Sequence, residues 1–228
     1  DGTDFRHTRE YLPGDDLRRI HWPSTARRGT PIVVEYEEPT SSNLFIVLDA
    51  SPQFVVGAGR ETSFETAVTL AASLIRYELE HGHAVGLFVD LDPPIHVPLT
   101  DDRQSLIAFF EELAVIEPTS PRRFDRSLLA AAEVAPSNAL LFAIGSGPGS
   151  DARAAGDGAV PAAGLLAAAG ELGRRKVPLA YAYVDPSGFD DPAAAPPALS
   201  FLHSLRLSGA QTLLLDRTNL AASLRTWR

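Results

Sequence analysis

From residue 43 onward the chain alternates between short apolar runs and longer segments with helical periodicity. Residues 44–48 are continuously apolar, which is typical of a strand buried on both faces of a parallel sheet. Further apolar runs predict strands at 84–89, 95–99, 139–144, 177–184 and 212–215. The run at 95–99 is crowded by prolines, so we expect it at the sheet edge. The alternation predicts an α/β fold, a Rossmann-like, mostly parallel sheet of about six strands with helices on both faces.

Helical periodicity is clearest between residues 62 and 80. Thr62 and Glu65 have the spacing of a capping box, and Gly82 is expected to end the helix. Further helices are predicted at 102–113, 126–134, 161–175, 199–207 and 219–227. Asp125 is predicted to cap the one that begins at 126. The segments at 145–158 and 186–197 are rich in Gly, Ser, Pro or Ala and are expected to be loops.

The first 42 residues have a different pattern, because they are more charged and their only apolar strand is 32–36. We interpret residues 1–42 as an N-terminal extended arm that packs on an α/β domain of residues 43–228. Pro23 is expected to break any helix that runs through Trp22, and Gly29 to end the turn that follows.

Composition narrows the range of functions. The 228 residues carry a formal net charge of −9, which disfavours binding to nucleic acid or to anionic membranes. The chain has no Cys, which excludes disulfides, thiolate catalysis and Cys-based zinc sites. No apolar run approaches the roughly 18 residues of a membrane-spanning helix. Met is absent even at position 1, so we expect a piece of a longer protein.

The strand at 44–48 delivers Asp49 and Ser51 to a loop, with Gln53 following. In open parallel sheets, ligands bind beyond the carboxyl ends of the strands, where the strand order reverses. We therefore expect Asp49 to be partly exposed in a shallow cleft with Ser51. One carboxylate and several neutral oxygens suit Mg²⁺. Alternatively, Asp49 and Ser51 only hydrogen-bond the backbone of their own loop.

A second cluster lies in the arm and consists of arginines, two aspartates and a tryptophan: Arg6, Arg9, Asp15, Asp16, Arg18, Arg19, Trp22, Arg27 and Arg28. It is either a docking surface for carboxylates of a partner protein or an internal clasp. In the clasp, Asp15 or Asp16 pairs with an arginine and Trp22 is buried against the sheet. We favour the clasp for Trp22 and the aspartates, and expect Arg19 and Arg28 to be exposed.

The order of these two segments resembles the bacterial domain of unknown function 58 family. That family has the pattern Arg-x-Tyr-x-x-Gly-Asp-Asp-x-Arg-x-Ile-x-Trp, then Ala-Arg, then a strand that ends in Asp-x-Ser. The matching residues are Arg9, Tyr11, Gly14, Asp15, Asp16, Arg18, Ile20, Trp22, Ala26, Arg27, Asp49 and Ser51. The resemblance implies a von Willebrand factor type A-like domain.

In relatives of that family, the Asp-x-Ser-x-Ser loop joins a distant Thr and a distant Asp in a metal-ion-dependent adhesion site. Here Gln53 replaces the second Ser. Phe124 falls near the Thr position, with Thr119 or Ser120 close in sequence, and Gly145 begins the segment where the Asp is expected. The resemblance therefore implies a degenerate site with no cofactor or with weakly bound Mg²⁺.

The resemblance also implies a noncatalytic adaptor that works with a MoxR-type AAA+ ATPase. Family members usually carry transmembrane helices upstream, so we expect the longer protein to be anchored in the bacterial membrane with this domain on the cytoplasmic face. The alternatives are a metal-dependent hydrolase that uses Asp49 and a purely structural module.

Overall fold

The computed structural model describes residues 5–10, 22–36, 43–145, 162–186, 189 and 199–215, and the description below concerns those residues. The chain divides into two compact units, residues 1–42 and 43–228. The predicted helix at 219–227 lies outside the described residues, as do most of the predicted loops at 145–158 and 186–197.

The N-terminal unit contains a two-stranded antiparallel sheet, formed by β1 (Phe5–Glu10) and β2 (Ile32–Tyr36). Helix α1 (Trp22–Arg28) lies between them in the chain. Strand β1 was not predicted, because it lacks an apolar pattern and forms by pairing with β2. Pro23 falls in the first turn of α1, where a missing N–H costs nothing. Gly29 ends the helix with φ of 74°, and its N–H donates to the Thr25 carbonyl at 2.8 Å.

The second unit is built on a six-stranded sheet in the order β10-β9-β8-β3-β6-β7. Its strands are β3 (Leu44–Leu48), β6 (Val85–Val89), β7 (Ile95–Thr100), β8 (Leu140–Gly145), β9 (Leu179–Val184) and β10 (Gln211–Leu215). All neighbours are parallel except β7, which is antiparallel to β6 at the edge. A small hairpin, β4 (Gly57–Ala58) and β5 (Glu61–Thr62), follows β3 and was not predicted.

Helices cover both faces of this sheet. They are α2 (Ser63–Glu80), α3 (Leu106–Val115), α4 (Phe124–Val134), α5 (Ala162–Arg174) and α6 (Leu199–Leu207). Alternate residues of β3 enter opposite cores: Ile46 packs with residues of α2 and α3, whereas Val47 packs with residues of α4, α5 and α6. The predicted α/β fold, with about six strands and helices on both faces, is confirmed.

Capping explains where the first of these helices begins. The Thr62 hydroxyl accepts a hydrogen bond from the Glu65 N–H at 3.0 Å, as the capping-box pattern predicts. Thr62 itself belongs to β5, so the helix starts one residue later than predicted.

None of the helices in the described part of the chain has the length and apolar character needed to cross a bilayer.

Candidate functional site

The centre of the sheet is a topological switch point. From β3 the chain passes to β6 on one side and later returns to β8 on the other. Asp49 follows β3 directly, and its N–H donates to the Ile144 carbonyl of β8 at 2.9 Å. The predicted position of Asp49, at the carboxyl end of the central strand, is therefore confirmed.

The predicted exposure of this loop is wrong. Asp49 is 4% exposed and Ser51 is 8% exposed, so neither lines an open cleft. Asp49 Oδ1 accepts a hydrogen bond from the Ser51 N–H at 2.9 Å. This bond matches the alternative in which Asp49 organises the backbone of its own loop. Gln53 is exposed on the 3-10 turn Pro52–Phe54.

Phe124 occupies the switch point beside Asp49. It is the first residue of α4 and is 4% exposed, and its ring meets Tyr181 edge to face with centroids 6.2 Å apart. A Cβ built on Gly145 would lie 2.8 Å from Phe124 Cε1 and 3.1 Å from Asp49 Cβ. The absence of a side chain at the end of β8 therefore makes room for the aromatic ring.

The connection between α3 and α4, residues 116–123, is fastened across the strand ends. The Ser120 N–H donates to the Ala50 carbonyl at 2.8 Å, just past β3. The Ser120 hydroxyl donates to the Arg122 carbonyl at 3.0 Å, and Thr119 is exposed. Ser120 is thus brought to the Asp49 loop by its backbone, while its hydroxyl bonds within the connection.

Asp90 holds the same connection at the end of β6. Its carboxylate is 1% exposed, and it accepts hydrogen bonds from Arg122 Nη2 at 2.6 Å and from the Ser127 hydroxyl at 2.7 Å. Asp90 was not among the candidate residues identified from the sequence. One sequence signal could have identified this contact. It is a carboxylate directly after a buried strand, together with Arg122 and Arg123 directly before a helix.

The start of α4 differs from the prediction. The helix begins at Phe124, so Asp125 lies in its first turn and does not occupy the cap position. Asp125 Oδ1 instead accepts a hydrogen bond from Arg123 Nε at 3.2 Å. Gly164 of α5 lies against this pair, because a Cβ there would be 2.8 Å from Asp125 Oδ2. The carboxylate therefore helps to join two helices, besides stabilising the positive end of α4.

The arm cluster is only partly described. Trp22 is 67% exposed, so its predicted burial is wrong, and Arg27 and Arg28 are exposed on the same helix. Arg6 and Arg9 lie in β1, but their side chains are not described. Asp15, Asp16, Arg18 and Arg19 lie outside the described residues. The indole and two guanidinium groups are thus presented on one short helix.

Two residues beside Asp49 lack the side-chain oxygens that Mg²⁺ prefers as ligands. Phe124 and Gly145 offer no side-chain oxygen, and Asp49 Oδ1 is engaged by the Ser51 N–H. In the described ranges, no three His, Asp or Glu side chains are grouped as they would be around a metal ion. The arrangement at the switch point favours a packed, internally bonded loop.

Comparison with solved structures gives the fold type. BatB from Bacteroides thetaiotaomicron, a conserved hypothetical protein, has a TM-score of 0.54 at 16% identity, covering 81% of this chain and 94% of that one. Proximal thread matrix protein 1 from the mussel byssus has a TM-score of 0.50 at 11% identity, covering 81% and 46%. The chain thus has a von Willebrand factor type A-like fold, and these low identities show the fold alone.

Comparison of sequences identifies the family. The uncharacterized protein YeaD from Bacillus subtilis (strain 168) is 32% identical over 79 residues, which are 35% of this chain and 18% of that protein. The chain therefore spans under a fifth of that relative. The model of the family described as "Protein of unknown function DUF58" matches residues 7–142, more than half of the 228 residues. This chain belongs to the DUF58 family.

Proposed function

We propose that this chain is a noncatalytic protein-interaction domain, an adaptor of a membrane-anchored bacterial protein that acts with a MoxR-type AAA+ ATPase. One observation carries the proposal: the polar groups at the switch point are used to hold the chain itself. Asp49 binds its own loop, Asp90 binds Arg122 and Ser127, and Phe124 packs where ligands enter related sheets. Within the described residues, exposed helix faces are available for recognition.

The burial of Asp49 favours an adaptor over a hydrolase. A metal-dependent hydrolase uses side chains that bind a metal ion which activates water, whereas Asp49 is 4% exposed and its Oδ1 accepts a hydrogen bond from the Ser51 N–H. The degenerate adhesion site is part of the same proposal. Phe124 and Gly145 occupy the positions where that kind of site has Thr and Asp, so we propose that any Mg²⁺ binds weakly.

Helix α1 provides the first surface to test. Trp22, Arg27 and Arg28 are exposed there, and Trp and Arg are over-represented among residues that dominate binding energy at interfaces. Binding of the full-length protein to the MoxR-type ATPase of the same organism is measured by biolayer interferometry. Trp22→Ala and Arg28→Ala are expected to weaken binding at least about tenfold (~1.4 kcal/mol). Arg76→Ala, at an exposed arginine of α2, is the matched control and is expected to bind as the parent does.

Two results would overturn the proposal. If the parent protein does not bind the ATPase, the result would favour the purely structural module. Hydrolysis by the purified protein that requires a divalent metal and disappears in Asp49→Asn would establish an enzyme.

A further inference from the structure

Helix α3 is apolar on nearly all sides. Phe109 and Leu113 are buried against the sheet side, yet Ile107, Phe110 and Val115 are 69%, 39% and 73% exposed. A surface helix normally presents polar residues outward. In the described ranges, α3 carries three of the eight exposed large hydrophobic residues, so these are concentrated and not scattered.

Unpaired acidic groups border this apolar surface. Glu111 lies four residues after Ile107 and four before Val115, so the three side chains form one stripe along the helix. Glu112 is adjacent and Glu117 follows the helix. Within the described residues, none of the three carboxylates has a cationic partner.

Some carboxylates on other helices are paired with arginines. Glu80 meets Arg76 on α2 at 3.3 Å, and Glu133 of α4 pairs with Arg175. Glu171 of α5 is held by Arg174 and Arg175, which lower the pKa of its carboxyl. The acids of α3 therefore differ from Glu80, Glu133 and Glu171.

The outer face of α3 is held in place before any partner binds. Arg103, just ahead of the helix, donates from Nε to the Leu79 carbonyl at 3.1 Å and from Nη2 to the Glu80 carbonyl. These bonds tie the start of α3 to the end of α2, and Phe109 and Leu113 secure the rest. A preorganised face loses little conformational entropy on binding.

We propose that the outer face of α3, defined by Ile107, Phe110, Glu111 and Val115, docks a basic amphipathic helix of a partner protein. The apolar side chains fit the apolar stripe of such a helix, and Glu111 fits a cation placed within that stripe. The inference rests on the proposed adaptor function and specifies the chemistry of the partner.

Charge favours a basic helix over two other possible binding partners of this face, a second copy of the chain and an anionic lipid surface. A second copy of the chain in a two-fold contact would bring Glu111 and Glu112 towards the same residues, and like charges in an interface are costly. An anionic lipid surface is repelled by the same carboxylates and by the net charge of −9. A basic partner is attracted both by the carboxylates of α3 and by the negative net charge of the chain.

The probe is a synthetic amphipathic helical peptide with leucines on one face interspersed with arginines, titrated by fluorescence anisotropy. The comparison peptide has glutamate in place of every arginine. Ile107→Ser and Glu111→Lys are each expected to weaken binding of the arginine peptide at least about tenfold (~1.4 kcal/mol). The glutamate peptide is expected not to bind the parent protein.

Matched controls lie on α4. Val134→Ser removes an exposed apolar side chain, and Glu133→Lys changes the net charge by the same amount as Glu111→Lys. Both are expected to bind the arginine peptide as the parent does. Equal weakening by Glu133→Lys, or binding unaffected by Ile107→Ser and Glu111→Lys, would overturn the proposal, as would self-association in sedimentation that Ile107→Ser abolishes.

The same variants separate this inference from the proposed function. If the ATPase binds the parent and the Glu111→Lys protein equally, the adaptor function holds and this face is rejected. If the ATPase does not bind at all, the adaptor function fails, and the peptide titration still decides the chemistry of the face.

Discussion

Gly145→Ala tests the packing at the switch point. The new Cβ would lie 2.8 Å from Phe124 Cε1, 3.1 Å from Phe124 Cδ1 and 3.1 Å from Asp49 Cβ. Carbon atoms prefer separations of about 3.5–4.0 Å, so the closest contact requires a shift of roughly 0.7 Å. Phe124 is 4% exposed and packs on Tyr181, so the ring has little room to move.

The expected cost follows from this crowding. Overpacking a close-packed core by one carbon atom lowers the free energy of unfolding by about 1–3 kcal/mol. For a domain of this size, each kcal/mol lowers Tm by about 2–4 °C. Thermal melts of Gly145→Ala are therefore expected to shift down by roughly 2–12 °C. Gly145 does not have the positive φ that would add backbone strain, so the cost is steric.

Two further variants make the test specific. Gly170→Ala is the control, because the nearest atom to its new Cβ is Arg174 Nη1 at 3.9 Å, and it is expected to leave stability unchanged or raise it by up to about 1 kcal/mol. Phe124→Leu lacks the Cε1 atom, so Gly145→Ala should cost at least about 0.5 kcal/mol less in that background. A Gly145→Ala protein that melts like Gly170→Ala, or costs that add in the double variant, would refute the packing argument.

Three other measurements test the site. Asp90→Ala is expected to lower the free energy of unfolding in urea by about 1–3 kcal/mol, because it removes the carboxylate that accepts hydrogen bonds from Arg122 Nη2 and the Ser127 hydroxyl; an unchanged midpoint would show that the bonds of Asp90 do not hold the fold. Trp22→Ala is expected to change stability by no more than about 0.5 kcal/mol, as for exposed residues, and a loss of about 3–5 kcal/mol would show a buried ring. Calorimetry with Mg²⁺ is expected to give a Kd weaker than about 10 μM; tighter binding that Asp49→Ala abolishes would contradict the degenerate site.

Local patterns were enough to predict the α/β unit. The continuous apolar run at β3 indicates a strand with two buried faces, and the structure buries Ile46 in one core and Val47 in the other. The prolines within and just before residues 95–99 predict the edge position that β7 occupies. The position of Asp49 followed from the same reasoning, because a residue after a central strand reaches the switch point whatever else surrounds it.

The N-terminal unit shows where a local pattern is insufficient. β1 has no apolar alternation and forms because its backbone pairs with β2, which is a contact between distant residues. The burial of Trp22 was part of the predicted clasp, but exposure depends on what packs over a side chain, and Trp22 is 67% exposed. The hairpin of β4 and β5 was missed because each strand has two residues, too few for a period to be visible.

The sequence by itself determined the fold class and the location of the Asp49 loop after a strand buried on both faces, because apolar periodicity and strand ends are properties of neighbouring residues. Only the tertiary structure decided what that loop does. Phe124 and Gly145 are 21 residues apart in the chain, and Asp90 and Ser127 are 37 apart, yet each pair meets at the carboxyl ends of the strands. The contacts that bury Asp49 and anchor the connection after α3 are made between elements, so their geometry exists only once the sheet and helices have packed.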